Sequence, residues 1–198
     1  QEPLGNAVHS VLIDEIAGKT VLVLGCGPMG CFAIGVSRVC GASFIIGVDV
    51  NEYRLNLAKK MKADVLINDT SSNLVKEVMD LTQGVGVDVV LEMSGTPSAI
   101  KKGFKALRPG GRISLLGLSL GEVGLDLTND IIFKGAKVYG ITGRKLYQTW
   151  YQVSRFLTNG LLDITPLITH SYKFDEFEKG IGLMKSGNCL KVVLTHDN

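Results

Sequence analysis

Short apolar runs alternate along the chain with stretches whose apolar positions recur at helical spacing. Thr20-Val-Leu-Val-Leu24 is apolar throughout and ends at a glycine, the pattern of a strand covered on both faces. Helical spacing follows from Met29 to Val39, and Ser43 to Val48 forms a second strand. Glu52 to Met61 reads as a helix, with Asn51 as its N-cap and Glu52 at its positive end. Asp64 to Ile67 is a short third strand. The rhythm then repeats with a helix from Ser72 to Leu81, a strand from Val87 to Leu91 and a helix from Pro97 to Leu107. Arg108-Pro-Gly-Gly111 makes a turn into the strand Arg112–Leu116, and Lys137 to Ile141 supplies a sixth strand. Strands joined by crossover helices predict a parallel sheet, and six of them in two halves predict a doubly wound α/β Rossmann sheet of order 3-2-1-4-5-6.

Two segments fall outside that unit. Gln1 to Ala17 precedes the first strand and has a helical stretch from Asn6 to Ile13. After Gly160 come an extended run from Ile164 to Tyr172, a helix from Asp175 to Met184 and a strand from Lys191 to Leu194. A Rossmann sheet requires neither piece. The expected division is therefore a linker helix from a catalytic domain (1–17), a dinucleotide-binding domain (18–160), and a C-terminal segment (161–198) that belongs to, or packs on, a missing catalytic domain.

Composition narrows the function classes. The 198 residues are 45% hydrophobic and 20% charged, with a net charge of +2 from interspersed acids and bases. That profile is one of a globular protein and offers no basic run for nucleic acid or an anionic membrane. No apolar stretch approaches the roughly twenty residues of a membrane span, so the cytoplasm is the expected location. The four cysteines form no C-x-x-C pair and only three histidines accompany them, so no metal site is expected within the chain and the thiols read as buried and reduced. His9 lies on an apolar helical stretch and reads as structural, while Lys59 and Lys60 read as a solvated helix face.

The chemistry-bearing motif is Gly25-Cys-Gly-Pro-Met-Gly30, a G-x-G-x-x-G directly after the first strand. Gly25 serves the tight turn, Gly27 the close approach of a pyrophosphate, and Gly30 the packing of helix on strand. Such a motif is common alone, but here a strand precedes it, a helix follows it, and Asp49 ends the second strand about twenty residues on. A carboxylate at that point accepts from the adenosine ribose hydroxyls and repels a 2′-phosphate, which favours NAD. Arg54 keeps NADP open, because arginine also pairs with such a phosphate, or it is simply a solvated charge. Glu92-Met-Ser-Gly95 and Leu116-Gly-Leu118 follow the fourth and fifth strands, where open α/β sheets bind ligands; they either wall the nicotinamide or only pack. The chain holds no nucleophile–base constellation.

These residues in their order resemble the zinc-dependent medium-chain dehydrogenases. Glu2-Pro-Leu-Gly-Asn-Ala-Val-His9, Asp49 to Leu55, Glu92 to Gly95, Gly140-Ile-Thr-Gly-Arg144, Thr149-Trp-Tyr151 and Pro166 to His170 are similar to the L-threonine 3-dehydrogenase branch, across nearly the whole chain. The resemblance implies oxidation of L-threonine by NAD, with zinc in the full-length enzyme held by ligands upstream of Gln1. It places cofactor contacts on Met29, Asp49, Arg54, Leu116, Gly117, Leu118, Ile141 and Thr142, beside the glycines of the loop. It makes Glu2 an acidic residue near the catalytic zinc, serving proton relay or transient ligation; otherwise Glu2 is an exposed stub before a proline. A homo-oligomer, commonly a tetramer, is also implied. Lys62 stands where the family has a glycine, which predicts a strained turn there, and Leu190 replaces a small residue. A sorbitol- or butanediol-type zinc dehydrogenase, an NAD-sensing module without chemistry, and an S-adenosylmethionine methyltransferase are the alternatives, the last lacking these blocks.

Overall fold

The computed structural model describes residues 2–70 and 73–196. The chain runs α1 (Leu4–Val11), β1 (Thr20–Leu24), α2 (Pro28–Val39), β2 (Phe44–Asp49), α3 (Glu52–Lys60), β3 (Val65–Asn68), α4 (Leu74–Leu81), β4 (Val87–Glu92), α5 (Pro97–Ala106), β5 (Leu107–Leu115), β6 (Lys137–Gly140), α6 (Gln148–Thr158), β7 (Ile168–Lys173), α7 (Phe177–Ser186) and β8 (Lys191–Thr195). Strands β1–β6 form one sheet in the order β3-β2-β1-β4-β5-β6, every pair parallel. The expected order is the observed one. The start of the fourth helix at Ser72, and the outer limits Gln1 and Asn198, lie outside the described residues.

Both faces of the sheet are covered, which is why its strands are apolar without alternation. Val21 and Val23 of β1 join Leu4, Val8 and Val11 of α1, Phe32 and Val36 of α2, Leu55 of α3 and Val153 of α6 in one core. Leu22 and Leu24, the alternate residues of the same strand, join Leu74 and Val78 of α4 and Ile100 and Phe104 of α5 in the other. The N-terminal helix thus packs on the sheet, and Arg112 pins it there. This side chain of β5, 4% exposed, donates to the carbonyls of Val11 (2.7 Å) and Ser10 (3.4 Å) at the end of α1, meeting carbonyls that the helix leaves without partners.

Four local features differ from the sequence reading. Arg108 to Gly111 is no turn before a strand but a bulge inside β5: Val87 pairs with Leu107 and Val89 with Arg112, so the extra residues loop out between them. Helix α6 and a π-helical turn, Leu127–Ile132, were not anticipated. Of the four thiols, all free, Cys26, Cys31 and Cys189 are buried, but Cys40 is only half-buried.

The expected strain at Lys62 is present. Its φ is +72°, in the left-handed region, just after Met61, the C-cap of α3. There the Lys62 N–H donates to Lys59 (2.9 Å) and Ala63 N–H to Ala58 (3.3 Å), the closing bonds of a helix end that glycine makes without strain. Left-handed backbone costs a side-chain-bearing residue about 1–2 kcal/mol, part of which glycine loses again to chain entropy in the unfolded state. Lys62→Gly is therefore expected to raise unfolding free energy by about 0.5–1 kcal/mol, read as a higher urea midpoint at unchanged slope. An unmoved or lower midpoint contradicts this account of the turn.

Candidate functional site

From β1 the chain winds outward through β2 to β3, then crosses back to β4 and winds the other way. The loops after β1 and β4 consequently part, and a cleft of about 270 Å³ opens at the carboxyl ends of the strands. Gly25, Gly27, Asp49 and Arg54, four of the expected cofactor residues, line it together.

The loop from β1 into α2 is shaped by two glycines. Gly25 has φ +91°, and its N–H donates to Val48 across the sheet at 2.8 Å. At Gly30 a Cβ would stand 1.8 Å from the Gly25 carbonyl oxygen, so only glycine lets helix and strand come this close. Gly27, by contrast, is the N-cap of α2 and faces open space, with nothing within 4 Å of where its Cβ would be. No side chain caps α2, whereas Asn51 caps α3 by accepting from Tyr53 and Arg54. With Pro28 at the first helical position, the first-turn N–H groups of α2 remain for an anion in the cleft.

Asp49 is 7% exposed at the end of β2. Its Oδ2 accepts from the Cys26 N–H at 2.7 Å and its Oδ1 from the Asn51 N–H at 2.9 Å. The Arg54 guanidinium stands 3.9 Å from Oδ2, and the buried Arg54 Nε has no protein partner. The same carboxylate that faces the cleft therefore holds the glycine loop. Cys26, inside that loop, and Cys31 behind it are not nucleophiles: burial pushes the Cys31 thiol up to about 12 and that of Cys26 well above its ordinary value.

Glu92 ends β4, fully buried. Its carboxylate accepts from the Ser94 N–H (3.0 Å), the Ser94 hydroxyl (2.5 Å) and the Gly95 N–H (3.0 Å). Burial raises its pKa, and those three donors oppose the rise. This turn lies against the segment after β5, for a Cβ on Gly117 would be 2.1 Å from the Gly95 nitrogen. Leu116, Gly117 and Leu118 thus sit beside the β4 loop but outside the cleft's lining, with Leu118 89% exposed. Ile141 is buried and continues the ladder to Leu115 at 2.9 Å, Thr142 is exposed, Met29 packs on the core, and Gly30 lies behind the loop.

Glu2 lies elsewhere. Its carboxylate pairs with Arg144 and accepts from Asn6 Nδ2 at 3.2 Å, in a separate open cavity of about 540 Å³ with Tyr147, Trp150 and Tyr151. The Arg144 guanidinium stacks 5.4 Å from the Trp150 ring centre. His9, expected to be structural, meets the Gly143 carbonyl at 3.0 Å through Nδ1. Among the described residues no three of His, Cys, Asp and Glu gather to hold a metal, so the side chains present do not fit a zinc centre. No helix of the described residues is long and apolar enough to cross a membrane.

Met93 and Ser94, from the block after the fourth strand, line the cleft as that block's position suggested, whereas sequence reasoning missed Val50, Asp69, Thr96 and Ala99. Most of them stand just past the ends of β2, β3 and β4, so the rule that led to Asp49 and Leu116 extends to them.

A parallel sheet of this order with a glycine loop at its switch point is the architecture of a dinucleotide-binding domain. The model of the zinc-binding dehydrogenase family matches residues 28–159, and the chain belongs to that family. It is 54% identical over 194 residues to the L-threonine 3-dehydrogenase of Pyrococcus furiosus and 50% identical to that of Bacillus subtilis, covering 98% of this chain and 56% of each relative. It therefore spans little more than half the length of these relatives. Among solved structures it superposes on an alcohol dehydrogenase from Thermotoga maritima (TM-score 0.88, 31% identity, 98% of this chain and 55% of that one). It also superposes on 2R,3R-butanediol dehydrogenase from Bacillus subtilis (TM-score 0.90, 25% identity, 99% and 56%).

The two helix-start glycines make opposite demands. Gly30→Ala is expected to destabilise the protein by about 3 kcal/mol, because the methyl group meets backbone rather than a movable side chain. Gly27→Ala, into open space at an ordinary φ of −64°, is expected to change stability by less than about 1 kcal/mol. Thermal melts of the pair check this, and equal losses contradict it.

Proposed function

We propose that this chain is the NAD-binding half of a zinc-dependent L-threonine 3-dehydrogenase, which converts L-threonine and NAD to 2-amino-3-oxobutanoate and NADH. The observation that carries the reading is the identity of 50–54% to proteins of that name over nearly the whole chain. The butanediol dehydrogenase, at 25%, shares the architecture with far less of the sequence. The geometry supports the cofactor part. The open face at Gly27 and the uncapped start of α2 suit a pyrophosphate, and the Asp49 carboxylate with the unpartnered Arg54 Nε suits the hydroxyls of an unphosphorylated ribose.

In this reading nicotinamide, when bound, accepts a hydride from the substrate carbon. The chain's own residues bind and orient. Gly25, Gly27 and Gly30 with Met29 present the loop, Asp49 and Arg54 the ribose pocket, and Leu116, Gly117, Leu118, Ile141 and Thr142 the wall at the nicotinamide end. Zinc would be held by residues outside this chain. Glu2, paired with Arg144 and accepting from Asn6 just before α1, would relay the hydroxyl proton.

We further propose the division into a linker helix at 1–17, a cofactor domain at 18–160 and a returning segment at 161–198. Exposed Phe174, Phe177, Ile181 and Met184 on and before α7 support a covering by further chain. Assembly as a homo-oligomer, with β6 as an open sheet edge, and a cytoplasmic location complete the proposal.

Calorimetric titration of the chain is expected to give tighter binding for NAD than for NADP, and Gly27→Val is expected to abolish it without loss of fold. Equal affinity for the two dinucleotides would make Arg54 a phosphate ligand and remove the assignment of NAD. With its upstream residues and zinc, the protein is expected to oxidise L-threonine faster than sorbitol or butanediol. There Glu2→Gln should lower turnover by about two to four powers of ten with little change in NAD affinity. A preference for the polyols would move the chain to the sibling enzymes, and full-speed turnover by Glu2→Gln would remove the role of Glu2 alone.

A further inference from the structure

The edge of the sheet opposite the cofactor cleft holds a buried cation whose hydrogen-bond partners carry no formal charge. Arg112, on β5, commits all the donors of its two terminal nitrogens. Nη1 donates to the Ser114 hydroxyl (2.9 Å) and the Ser10 carbonyl (3.4 Å), and Nη2 to the carbonyls of Val11 (2.7 Å) and Asp14 (3.4 Å). The remaining donor, Nε–H, is buried and has no partner among the described residues. The end of α1 lends its carbonyls about half a negative charge, so roughly half of the guanidinium's charge stays uncompensated. Burial accordingly pulls the pKa of Arg112 down.

Arg112 lines a polar cavity of about 80 Å³ at the amino ends of the strands, together with Gly110 of the β5 bulge. Its other charged walls are mostly closed pairs. Asp88 accepts from Arg108 (2.7 Å) and from the Thr20 N–H (2.8 Å). Asp14 accepts from Lys137 (2.8 Å), the Tyr139 hydroxyl (3.1 Å) and the Glu15 N–H (2.8 Å). Those bonds, Lys137 foremost, hold the Asp14 carboxyl down at about 2. Glu15 is exposed, while Lys19 and Arg112 form no ion pair among the described residues. The cavity is left with positive charge and an unused buried N–H. A water would satisfy the hydrogen bond but leave the charge, whereas an anion meets both needs. The volume, against about 30 Å³ for one water in the liquid, suits an ion of the size of chloride and excludes a sugar acid.

We propose that this cavity binds one small monovalent anion, of the size of chloride, held by the Arg112 Nε–H and the Lys19 ammonium. The site is separate from the cofactor cleft, with which it shares no lining residue. Because Arg112 also holds the end of α1, the anion braces the N-terminal helix on the sheet.

Urea unfolding of the chain, with sodium chloride replacing sodium gluconate at constant ionic strength, tests the site in solution. The unfolding constant is expected to fall about tenfold for each tenfold rise in chloride above half-saturation, the slope of one bound ion. Lys19→Met leaves the helix contacts of Arg112 in place and is expected to need about tenfold more chloride for the same effect. Bromide diffused into crystals of the chain is expected beside the Arg112 Nε in an anomalous difference map. Unfolding that ignores chloride overturns the proposal and gives the Nε a water. Bromide beside Arg112 without that dependence is an adventitious ion only, and overturns it too. Bromide confined to the loop between Gly25 and Cys31, or an unchanged chloride response in Lys19→Met, assigns the effect to other groups and likewise overturns it. Each of these outcomes leaves the NAD reading of the cleft untouched.

Discussion

The Asp49 carboxylate accepts from the backbone N–H groups of Cys26 and Asn51, and the site depends on that one bridge. It ties the loop after β1 to the loop after β2, so the glycine turn and the first turn of α3 are held by a single buried side chain. A buried carboxylate needs its hydrogen bonds, and two backbone donors satisfy much of that demand without a fully engaged cation. The cleft side of Asp49 is thereby positioned before any ligand arrives. That is pre-organisation in the strict sense: the loop's geometry is set by the protein's own bonds.

The surrounding architecture makes the bridge possible. Parallel strands put all their carboxyl ends on one edge, and reversal of the winding between β1 and β4 parts the loops there. Close backbone approach keeps the parts in register, Gly30 against Gly25 at one side and Gly117 against Gly95 at the other. Glu92 holds the β4 turn by the same device as Asp49, a buried carboxylate accepting from the next residues' N–H groups. Arg112 performs the complementary task on the opposite side of the charge balance, with a buried cation meeting helix-end carbonyls. Much of this domain's loop geometry is therefore fixed by charged side chains bonded to backbone.

The sheet was legible because burial on both faces leaves a plain signature, continuous apolar runs such as Val21–Leu24. The glycine loop and Asp49 were legible because steric need and charge leave little choice of residue there. Helix α6 was not, although Val153 is buried in it: Tyr147 precedes it at φ +65°, no side chain caps it, and the usual start signal is missing. The bulge at Arg108–Gly111 was misread because Pro-Gly-Gly marks a turn whether the strand stops or only kinks. The separation of Glu2 from the cleft, and the gathering of Asp69 with Asp49, are tertiary facts carried by strand order and helix packing, and no local spacing encodes them.

The central claim is that the backbone between Gly25 and Cys31 is the anchor for the phosphates of a dinucleotide. Amide nitrogen and proton shifts across this segment, followed by NMR while NAD is added, test it most directly. The account predicts that the Gly27, Met29 and Gly30 amides move most, together with Asn51 beside the ribose pocket, and that their hydrogen exchange slows. Saturable binding that leaves those amides unmoved, and shifts others far from the switch point, would contradict it.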